Sequence, residues 1–132
     1  MKAHIYTDGA ARGNPGPAGI GIVIKNEKKV LLEVSAFIGE ATNNVAEYMA
    51  LIRGLEEAID LEEDEVEVFA DSELMVKQIK DEYRVKNKGL LPLHYHVKSL
   101  IKKFKRFSIS HIAREKNKRA DNLANQGIDS ML

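Results

Sequence analysis

The first forty residues carry short apolar runs separated by turn-forming residues, a pattern typical of β-strands. The runs lie at residues 3–7, 20–24 and 30–38, and a glycine-rich segment containing Pro15 and Pro17 joins the first two. Because proline interrupts helices, this segment is expected to be a connection. The pattern therefore predicts three antiparallel strands joined by short turns.

Apolar positions after residue 42 recur every three or four residues, which is the period of an α-helix. A first helix is expected from the Thr42-Asn43-Asn44 cluster, where Glu47 stands three residues after Asn44 as in a capping box. Further strands are expected at residues 66–70 and 107–112, and further helices at residues 74–82, 93–104 and 117–128. The order β-β-β-α-β-α-α-β-α predicts an α/β fold with a five-stranded mixed sheet, in which helical crossovers make the later strands parallel.

Composition narrows the class of protein. The chain of 132 residues is 44% hydrophobic and 30% charged, so we expect residues 1–132 to form a single domain with its own core. The absence of cysteine excludes disulfides, thiolate zinc sites and a cysteine nucleophile. No apolar run approaches the ~18 residues of a membrane span, and the first residues lack the apolar stretch of a secretory signal. We therefore expect a cytoplasmic monomer with no membrane contact and no obligate protein partner.

The net charge of zero conceals two oppositely charged stretches. Residues 33–73 contain 13 acidic residues and one basic residue and carry −12, whereas residues 77–119 contain 14 basic and three acidic residues and carry +11. One interpretation is a polarised molecule with one side suited to a polyanion such as nucleic acid. The other is two solvated faces whose charges merely balance.

Four carboxylates stand at the boundaries of the predicted elements, namely Asp8, Glu47, Asp71 and Asp121. Each one alone is compatible with a role in a turn, in a helix cap or at a helix N-terminus. Together they suggest more, because strands one and four are expected to be neighbours and ligands bind beyond strand ends in open α/β sheets. Crowded carboxylates repel one another unless a proton or a cation intervenes, and oxygen-only ligands suit Mg²⁺ or Mn²⁺. Two such ions about 4 Å apart support phosphodiester hydrolysis.

The sequence blocks around these carboxylates resemble ribonuclease H type 1. The matching blocks are Tyr6-Thr7-Asp8-Gly9-Ala10, Gly13-Asn14-Pro15-Gly16, Thr42-Asn43-Asn44-Val45-Ala46-Glu47, Ala70-Asp71-Ser72 and Asn117-Lys118-Arg119-Ala120-Asp121. They follow the family's order and spacing along the whole chain. The resemblance implies a ribonuclease H-like fold with a five-stranded mixed sheet flanked by helices, and Mg²⁺-dependent hydrolysis of RNA paired with DNA.

The same resemblance assigns roles to individual residues. It makes Asp8, Glu47, Asp71 and Asp121 the catalytic metal ligands, with two Mg²⁺ ions expected and Mn²⁺ as a substitute. It also places three amides along the groove that binds the hybrid, those of Asn14, Asn43 and Asn44. Short amides can hydrogen-bond 2′-hydroxyls and minor-groove base edges, which distinguish RNA from DNA. Helix capping is the alternative role for Asn43 and Asn44, and the two roles can coexist.

The chain departs from the family in the connection between the second and third helices, where many members carry a basic extension that grips the hybrid. Residues 83–92 are too few to form it. Lys86 and Lys88 are the candidates to contact phosphates in its place, with support from other basic residues, namely Lys98, Lys102, Lys103, Lys105 and Arg106. The alternative is that these side chains form a solvated helix face.

A second departure follows the fifth strand, where many members carry a histidine in a flexible loop. Here the segment is short and contains none, and His111 is expected to be a packed or edge residue of the strand. Arg114 and Glu115 are the candidates to replace the histidine, and we favour Arg114 because a fifth carboxylate would add repulsion. His94 and His96 are not expected to bind a metal together, since residues two apart do not share a helix face.

The resulting prediction is an endoribonuclease that hydrolyses the RNA strand of RNA–DNA hybrids by a two-metal-ion mechanism, leaving 5′-phosphate and 3′-hydroxyl ends. One alternative is a nucleic-acid-binding module on the same fold without catalysis. Four retained carboxylates disfavour it, because a pure binder would gain stability by losing their repulsion. Another alternative is a related metal nuclease that also acts on double-stranded RNA.

Overall fold

The five predicted strands form one mixed sheet in the computed structural model, which describes residues 2–131. The strands are β1 (Lys2–Ala11), β2 (Gly16–Lys25), β3 (Val30–Ala41), β4 (Glu65–Ala70) and β5 (Arg106–His111). Their order across the sheet is β3-β2-β1-β4-β5. The first three are antiparallel, and β4 and β5 run parallel to β1. The predicted fold class and the predicted adjacency of strands one and four are therefore confirmed.

Four α-helices flank the sheet, α1 (Asn43–Asp60), α2 (Glu73–Ile79), α3 (Leu91–Ile101) and α4 (Lys118–Asp129), and a single 3₁₀ turn at Arg114–Lys116 precedes the last. Helix α1 packs over β1 and β2, and α3 packs against α1. Helix α4 lies over β2, β3 and β1 on the opposite face of the sheet. None of the helices in residues 2–131 is long and apolar enough to cross a membrane.

The main core lies between the sheet and α1. Alternate residues of the central strands, including Ile5, Ile22 and Val68, are fully buried there against Leu51 and Leu55. Strand residues point alternately to the two faces, so the same alternation that buries Ile20 and Ile22 under α1 turns the intervening glycines of β2 toward α4. The fold therefore presents both faces of β1 and β2 to a helix.

Glycine allows both helices to contact the sheet through backbone. A Cβ atom on Gly9 would overlap the backbone of Ala46 in α1. Cβ atoms on Gly19 and Gly21 of β2 would overlap backbone atoms of Ala124 and Ala120 in α4. Any side chain at these positions would push a helix away from the sheet. The close approach fixes the height of α1 and α4 above the strand ends.

Several predicted boundaries were wrong in detail. The N-cap of α1 is Thr42, whose hydroxyl accepts a hydrogen bond from the backbone N–H of Val45, so the expected box between Asn44 and Glu47 does not form. Helix α2 ends at Ile79, before the predicted residue 82, and Asp81 adopts a left-handed conformation with φ of 65°. Helix α3 ends at Ile101, ahead of the expected residue 104.

Candidate functional site

Three of the predicted carboxylates meet where the pairing of β1 with β4 stops, at the carboxyl end of β4. Strand β1 continues to Ala11, so the expectation that Asp8 marks the end of the first strand was wrong, and Asp8 lies within the strand. Thr7 pairs with Ala70 across these parallel strands, so the residues that follow, Asp8 and Asp71, lie side by side. Helix α1 brings Glu47 over them. One carboxylate oxygen from each of the three side chains lies within 4.8 Å of the other two. Asp8 and Glu47 are only 5% and 9% exposed, and Asp71 is half-buried.

Glu47 is held by the sheet rather than by its own helix. Its Oε1 atom accepts a hydrogen bond of 3.0 Å from the backbone N–H of Gly9. This contact is possible because Gly9 has no side chain to separate β1 from α1. The capping interpretation of Glu47 is therefore wrong, and its carboxylate is directed toward Asp8 and Asp71.

Burial and the repulsion of neighbouring carboxylates make Asp8 and Glu47 hard to ionise. Burial is the largest cause of the raised pKa of Asp8, and the negative charges of Glu47 and Asp71 raise it further. Burial also raises the pKa of Glu47, and the charge of Asp71 adds to this effect. The Gly9 hydrogen bond and the Arg114 charge oppose the rise for Glu47. A cation among these oxygen atoms would relieve the repulsion, and an oxygen-only donor set fits a hard divalent cation.

Asp121 lies beside the three-carboxylate group, in the first turn of α4. Its Oδ1 atom lies 3.8 Å from a terminal guanidinium nitrogen of Arg114 and 3.4 Å from Nδ2 of Asn125. Its proximity to Asp8 also contributes to the raised pKa of Asp8. All four predicted carboxylates therefore line one groove, which also contains Arg114.

Two of the predicted groove amides, Asn14 and Asn43, hydrogen-bond to the backbone beside the carboxylates. Oδ1 of Asn43 accepts from the backbone N–H of Ala11 at 3.0 Å, and Oδ1 of Asn14 accepts from the backbone N–H of Asn43 at 3.1 Å. Asn43 lines the groove, while Asn44 is exposed on the next position of α1. These contacts leave the amide hydrogens of Asn14 and Asn43 available to a ligand.

The candidate lysines lie away from the groove. Lys86 and Lys88 are exposed in the connection between α2 and α3, and neither lines the groove. Two of the supporting lysines lie beside acidic residues of this chain. Lys98 forms an ion pair with Asp81 at 2.9 Å, and Lys103 lines a cleft between α1 and α3 together with acidic residues of α1. In this cleft the acidic and basic stretches interleave instead of facing opposite sides.

The histidines lie outside the carboxylate groove. His111 is the exposed last residue of β5, an edge strand, in agreement with the predicted edge position. His94 lies with Nε2 3.2 Å from the carbonyl oxygen of Gln78, and its ring packs edge-on against Tyr48. Of the two candidates to replace the loop histidine, Arg114 lines the groove, whereas Glu115 is exposed and does not.

Sequence reasoning missed three residues that support the site. Asn117 was recognised only as the entry to α4, yet it is 2% exposed and donates through Nδ2 to the carbonyl oxygen of Thr7 and to Oδ2 of Asp71, at 2.9 and 3.3 Å. Arg12 and Asn125 line the groove and contact each other. An asparagine before a helix usually signals a cap, and the Arg12–Asn125 contact joins residues 113 positions apart, so neither role has a local sequence signal.

Comparisons with known proteins place the chain among related sequences and structures. The reverse transcriptase-like protein family matches residues 6–127. A bifunctional protein of Mycobacterium tuberculosis is 43% identical over 98% of this chain, and ribonuclease HI of Halobacterium salinarum is 40% identical over 97%. The chain spans 36% and 65% of the lengths of these two relatives.

Solved structures show the same likeness. The crystal structure of ribonuclease H1 from Halobacterium salinarum superimposes with a TM-score of 0.96 at 40% identity, covering 98% of this chain and 99% of that one. A ribonuclease H1 isolated from compost, crystallised in complex with an RNA/DNA hybrid, gives a TM-score of 0.92 at 48% identity, with 98% of each chain covered.

Proposed function

The chain belongs to the ribonuclease H1-like family, and from this premise we propose that it is an endoribonuclease that hydrolyses the RNA strand of RNA–DNA hybrids. The observation that carries the proposal is the group of Asp8, Glu47 and Asp71, in which one carboxylate oxygen from each side chain lies within 4.8 Å of the other two, beside the end of β4. The compost ribonuclease H1 was crystallised with an RNA/DNA hybrid, and it matches 98% of this chain. This likeness supports the same substrate class here.

Two Mg²⁺ ions are the proposed cofactor, with Mn²⁺ as a substitute, and Asp8, Glu47, Asp71 and Asp121 are the residues that would hold them. When bound, such ions polarise the scissile phosphate and lower the pKa of water. The protein supplies pre-positioned oxygen ligands. Glu47 is fixed by Gly9 and Asp71 by Asn117, so little reorganisation accompanies binding.

Arg114 is the proposed phosphate-holding residue. Its side chain is 80% exposed in the groove and lies close enough to lower the pKa of Glu47. Arginine stays protonated at neutral pH and therefore does not act as a base. Its planar guanidinium can donate two parallel hydrogen bonds to a phosphate and stabilise charge that develops on it. Attack at phosphorus is proposed to leave a 5′-phosphate and a 3′-hydroxyl.

Binding of the hybrid is proposed to involve two regions. The amide groups of Asn14, Asn43 and Asn44 form the short-range contacts with sugar and base edges beside the carboxylates. Lys86 and Lys88 attract phosphates from outside the groove. Residues 1–132 are proposed to form a single ribonuclease H domain, which is consistent with one sheet and one main core in the described residues. The proposed molecule acts as a monomer in the cytoplasm.

A non-catalytic binding module remains the alternative class, but the electrostatics of the groove disfavour it. Burial and like charge raise the pKa of both Asp8 and Glu47, so the cluster destabilises the metal-free fold at neutral pH. A protein that only bound nucleic acid would be more stable with amides at these positions. The other alternative, a metal nuclease that also cleaves double-stranded RNA, differs from the proposed enzyme only in the substrates it accepts.

The test is an incubation with Mg²⁺ and four labelled substrates: RNA–DNA hybrid, duplex RNA, single-stranded RNA and duplex DNA. We expect cleavage of the hybrid alone, in its RNA strand, with ends that a 5′-phosphate-dependent exonuclease can degrade. EDTA should stop the reaction. Hybrid binding without cleavage at any Mg²⁺ or Mn²⁺ concentration would favour the binding module, and equal cleavage of duplex RNA would favour the broader nuclease.

A further inference from the structure

A line of contacts runs from the end of β1 to the carboxylate of Asp121. Arg12 pairs with Asp129 at 2.7 Å through one terminal nitrogen, while the other lies 3.4 Å from Oδ1 of Asn125. Asn125, one turn after Asp121 on α4, donates through Nδ2 to the carbonyl oxygen of Asp121 at 3.0 Å and to its Oδ1 at 3.4 Å. Asp129, Asn125 and Asp121 are spaced four residues apart, so they form one row along the helix.

Arg12 determines which way the Asn125 amide faces. A guanidinium contains only hydrogen-bond donors, so the amide oxygen must face Arg12. The amide NH₂ group then faces Asp121, where the carbonyl and carboxylate oxygens are acceptors. In the reversed orientation, donors would meet donors at Arg12 and acceptors would meet acceptors at Asp121. Hydrogen bonding along this row therefore favours a single orientation of the Asn125 side-chain amide.

Asn125 and Arg114 compete for the same carboxylate oxygen of Asp121. Oδ1 of Asp121 lies between Nδ2 of Asn125 and the guanidinium of Arg114, at 3.4 and 3.8 Å. Arg114 is largely exposed and can move toward the carboxylate, whereas Asn125 is half-buried and anchored by Arg12. Without the amide, the guanidinium of Arg114 at 3.8 Å is the cation beside this oxygen. In an Asp121–Arg114 ion pair, the carboxylate would be unavailable to a metal ion and the guanidinium would be unavailable to a phosphate.

We propose that Asn125, oriented by Arg12, is a positioning residue that holds Asp121 toward the three-carboxylate group and keeps it apart from Arg114. The inference rests on the proposed function and deepens it. The amide is suited to this task because it donates a hydrogen bond without adding charge: a cation here would neutralise Asp121, and another carboxylate would repel it. Arg12 and Asp129 act on Asp121 through Asn125.

The experiment compares Asn125→Ala with Asn122→Ala, a matched change on the exposed face of α4. Mn²⁺ is titrated into each protein without nucleic acid, and free Mn²⁺ is measured by electron paramagnetic resonance. Asn125→Ala should weaken Mn²⁺ binding roughly 10-fold, the scale seen when the partner of a metal ligand is removed. Asn122→Ala should bind like wild type. In hybrid cleavage, Asn125→Ala should lower kcat by a similar factor and leave KM for the hybrid within about twofold.

A second comparison uses the competition with Arg114. In an Arg114→Ala background the competing cation is gone, so Asn125→Ala should weaken Mn²⁺ binding by a smaller factor than in the native background. Unchanged Mn²⁺ binding by a folded Asn125→Ala protein would overturn the proposal, even if its melting temperature fell. A raised KM with unchanged kcat would also overturn it, because Asn125 would then be a nucleic-acid contact.

Should Asn125→Ala fail to fold, Asn125→Leu, which has a similar volume, gives the same readout. It removes the hydrogen-bond donor without adding a charge, so weaker Mn²⁺ binding is again expected and unchanged binding overturns the proposal. The failure of the proposed function would look different. In that case the wild-type protein would bind Mn²⁺ and leave the hybrid intact, and the Mn²⁺ titrations would still test the role of Asn125.

Discussion

The carboxylate groove and the connection between α2 and α3 are the two regions proposed to meet the hybrid, and they are built in opposite ways. In the groove, Asp8 and Glu47 are buried, and Oε1 of Glu47 is held by the backbone N–H of Gly9. In the connection, Val85 and Leu90 are buried anchors, while Lys86 and Lys88 point into solvent.

The difference reflects the distance over which each region acts. Ion coordination requires positions accurate to a few tenths of an ångström, which exposed side chains do not maintain. Attraction between lysine and phosphate extends over a Debye length of about 8 Å in physiological salt, so it tolerates mobile side chains. Rigidity is therefore expected where chemistry occurs, and charge alone is expected to matter in the connection.

The largest effect is expected in the groove. Asp8→Asn, Glu47→Gln and Asp71→Asn should each reduce cleavage of the hybrid by roughly three orders of magnitude, or about 4 kcal/mol in the activation free energy. In EDTA at neutral pH, at least one of the three should be more stable to heat than wild type, because a repelling charge is gone. Circular dichroism checks the fold, and Glu56→Gln on the exposed face of α1 is the matched control. Full activity of Asp71→Asn would remove it from the site.

Arg114 lies at the rim of the groove and should have an intermediate effect. Arg114→Ala should lower kcat by roughly 10- to 100-fold, equivalent to about 1.4–2.7 kcal/mol, with the Mg²⁺ requirement preserved. Glu115→Gln should change kcat much less, since Glu115 does not line the groove. Steady-state kinetics on the hybrid measure both variants. A crippled Glu115→Gln alongside a fully active Arg114→Ala would reverse the roles assigned to these neighbours.

Changes in the connection should affect binding and leave the chemistry intact. The double variant Lys86→Ala/Lys88→Ala should bind the hybrid more weakly at low salt, and the slope of log K against log salt should decrease by up to about 1.8, or about 0.9 per lost phosphate contact. Lys28→Ala/Lys29→Ala removes the same charge from the turn at the other end of the sheet and should leave the slope unchanged. If both pairs give the wild-type slope, the phosphate-binding surface lies elsewhere.

The smallest effect is expected in the pH dependence of metal-free stability. Folding raises the pKa of Asp8 and Glu47, so the folded state binds protons more tightly than the unfolded chain. The stabilising contribution of these groups is complete below their unfolded pKa and is lost as pH rises through the raised folded-state pKa. In EDTA the melting temperature should therefore fall by a few degrees from about pH 5 to about pH 9. Asp8→Asn should flatten this dependence, and Mg²⁺ should reverse it at the alkaline end.

Sequence pattern was sufficient to predict where the groove forms. The succession of strands and helices predicted a mixed sheet in which strands one and four are neighbours, and this adjacency brings Asp8 and Asp71 side by side. The pattern did not predict the partner of Glu47. A glutamate three residues after an asparagine is typical of a helix cap, whereas the actual partner, Gly9, lies 38 residues away in the sequence. Asn117, Arg12 and Asn125 were missed for the same reason: their contacts depend on how α4 lies against β1 and β4.

The backbone contacts at Gly9, Gly19 and Gly21 have a consequence for redesign of this protein. They set the heights of Glu47 and Asp121 above the sheet without any side chain in between. We therefore expect that apolar residues between the sheet and α1 can be exchanged for others of similar volume while the carboxylates keep their spacing. An alanine at any of the three glycines would displace a whole helix with its carboxylate. In directed evolution for thermostability, we therefore expect accepted substitutions at core positions and none at these three glycines.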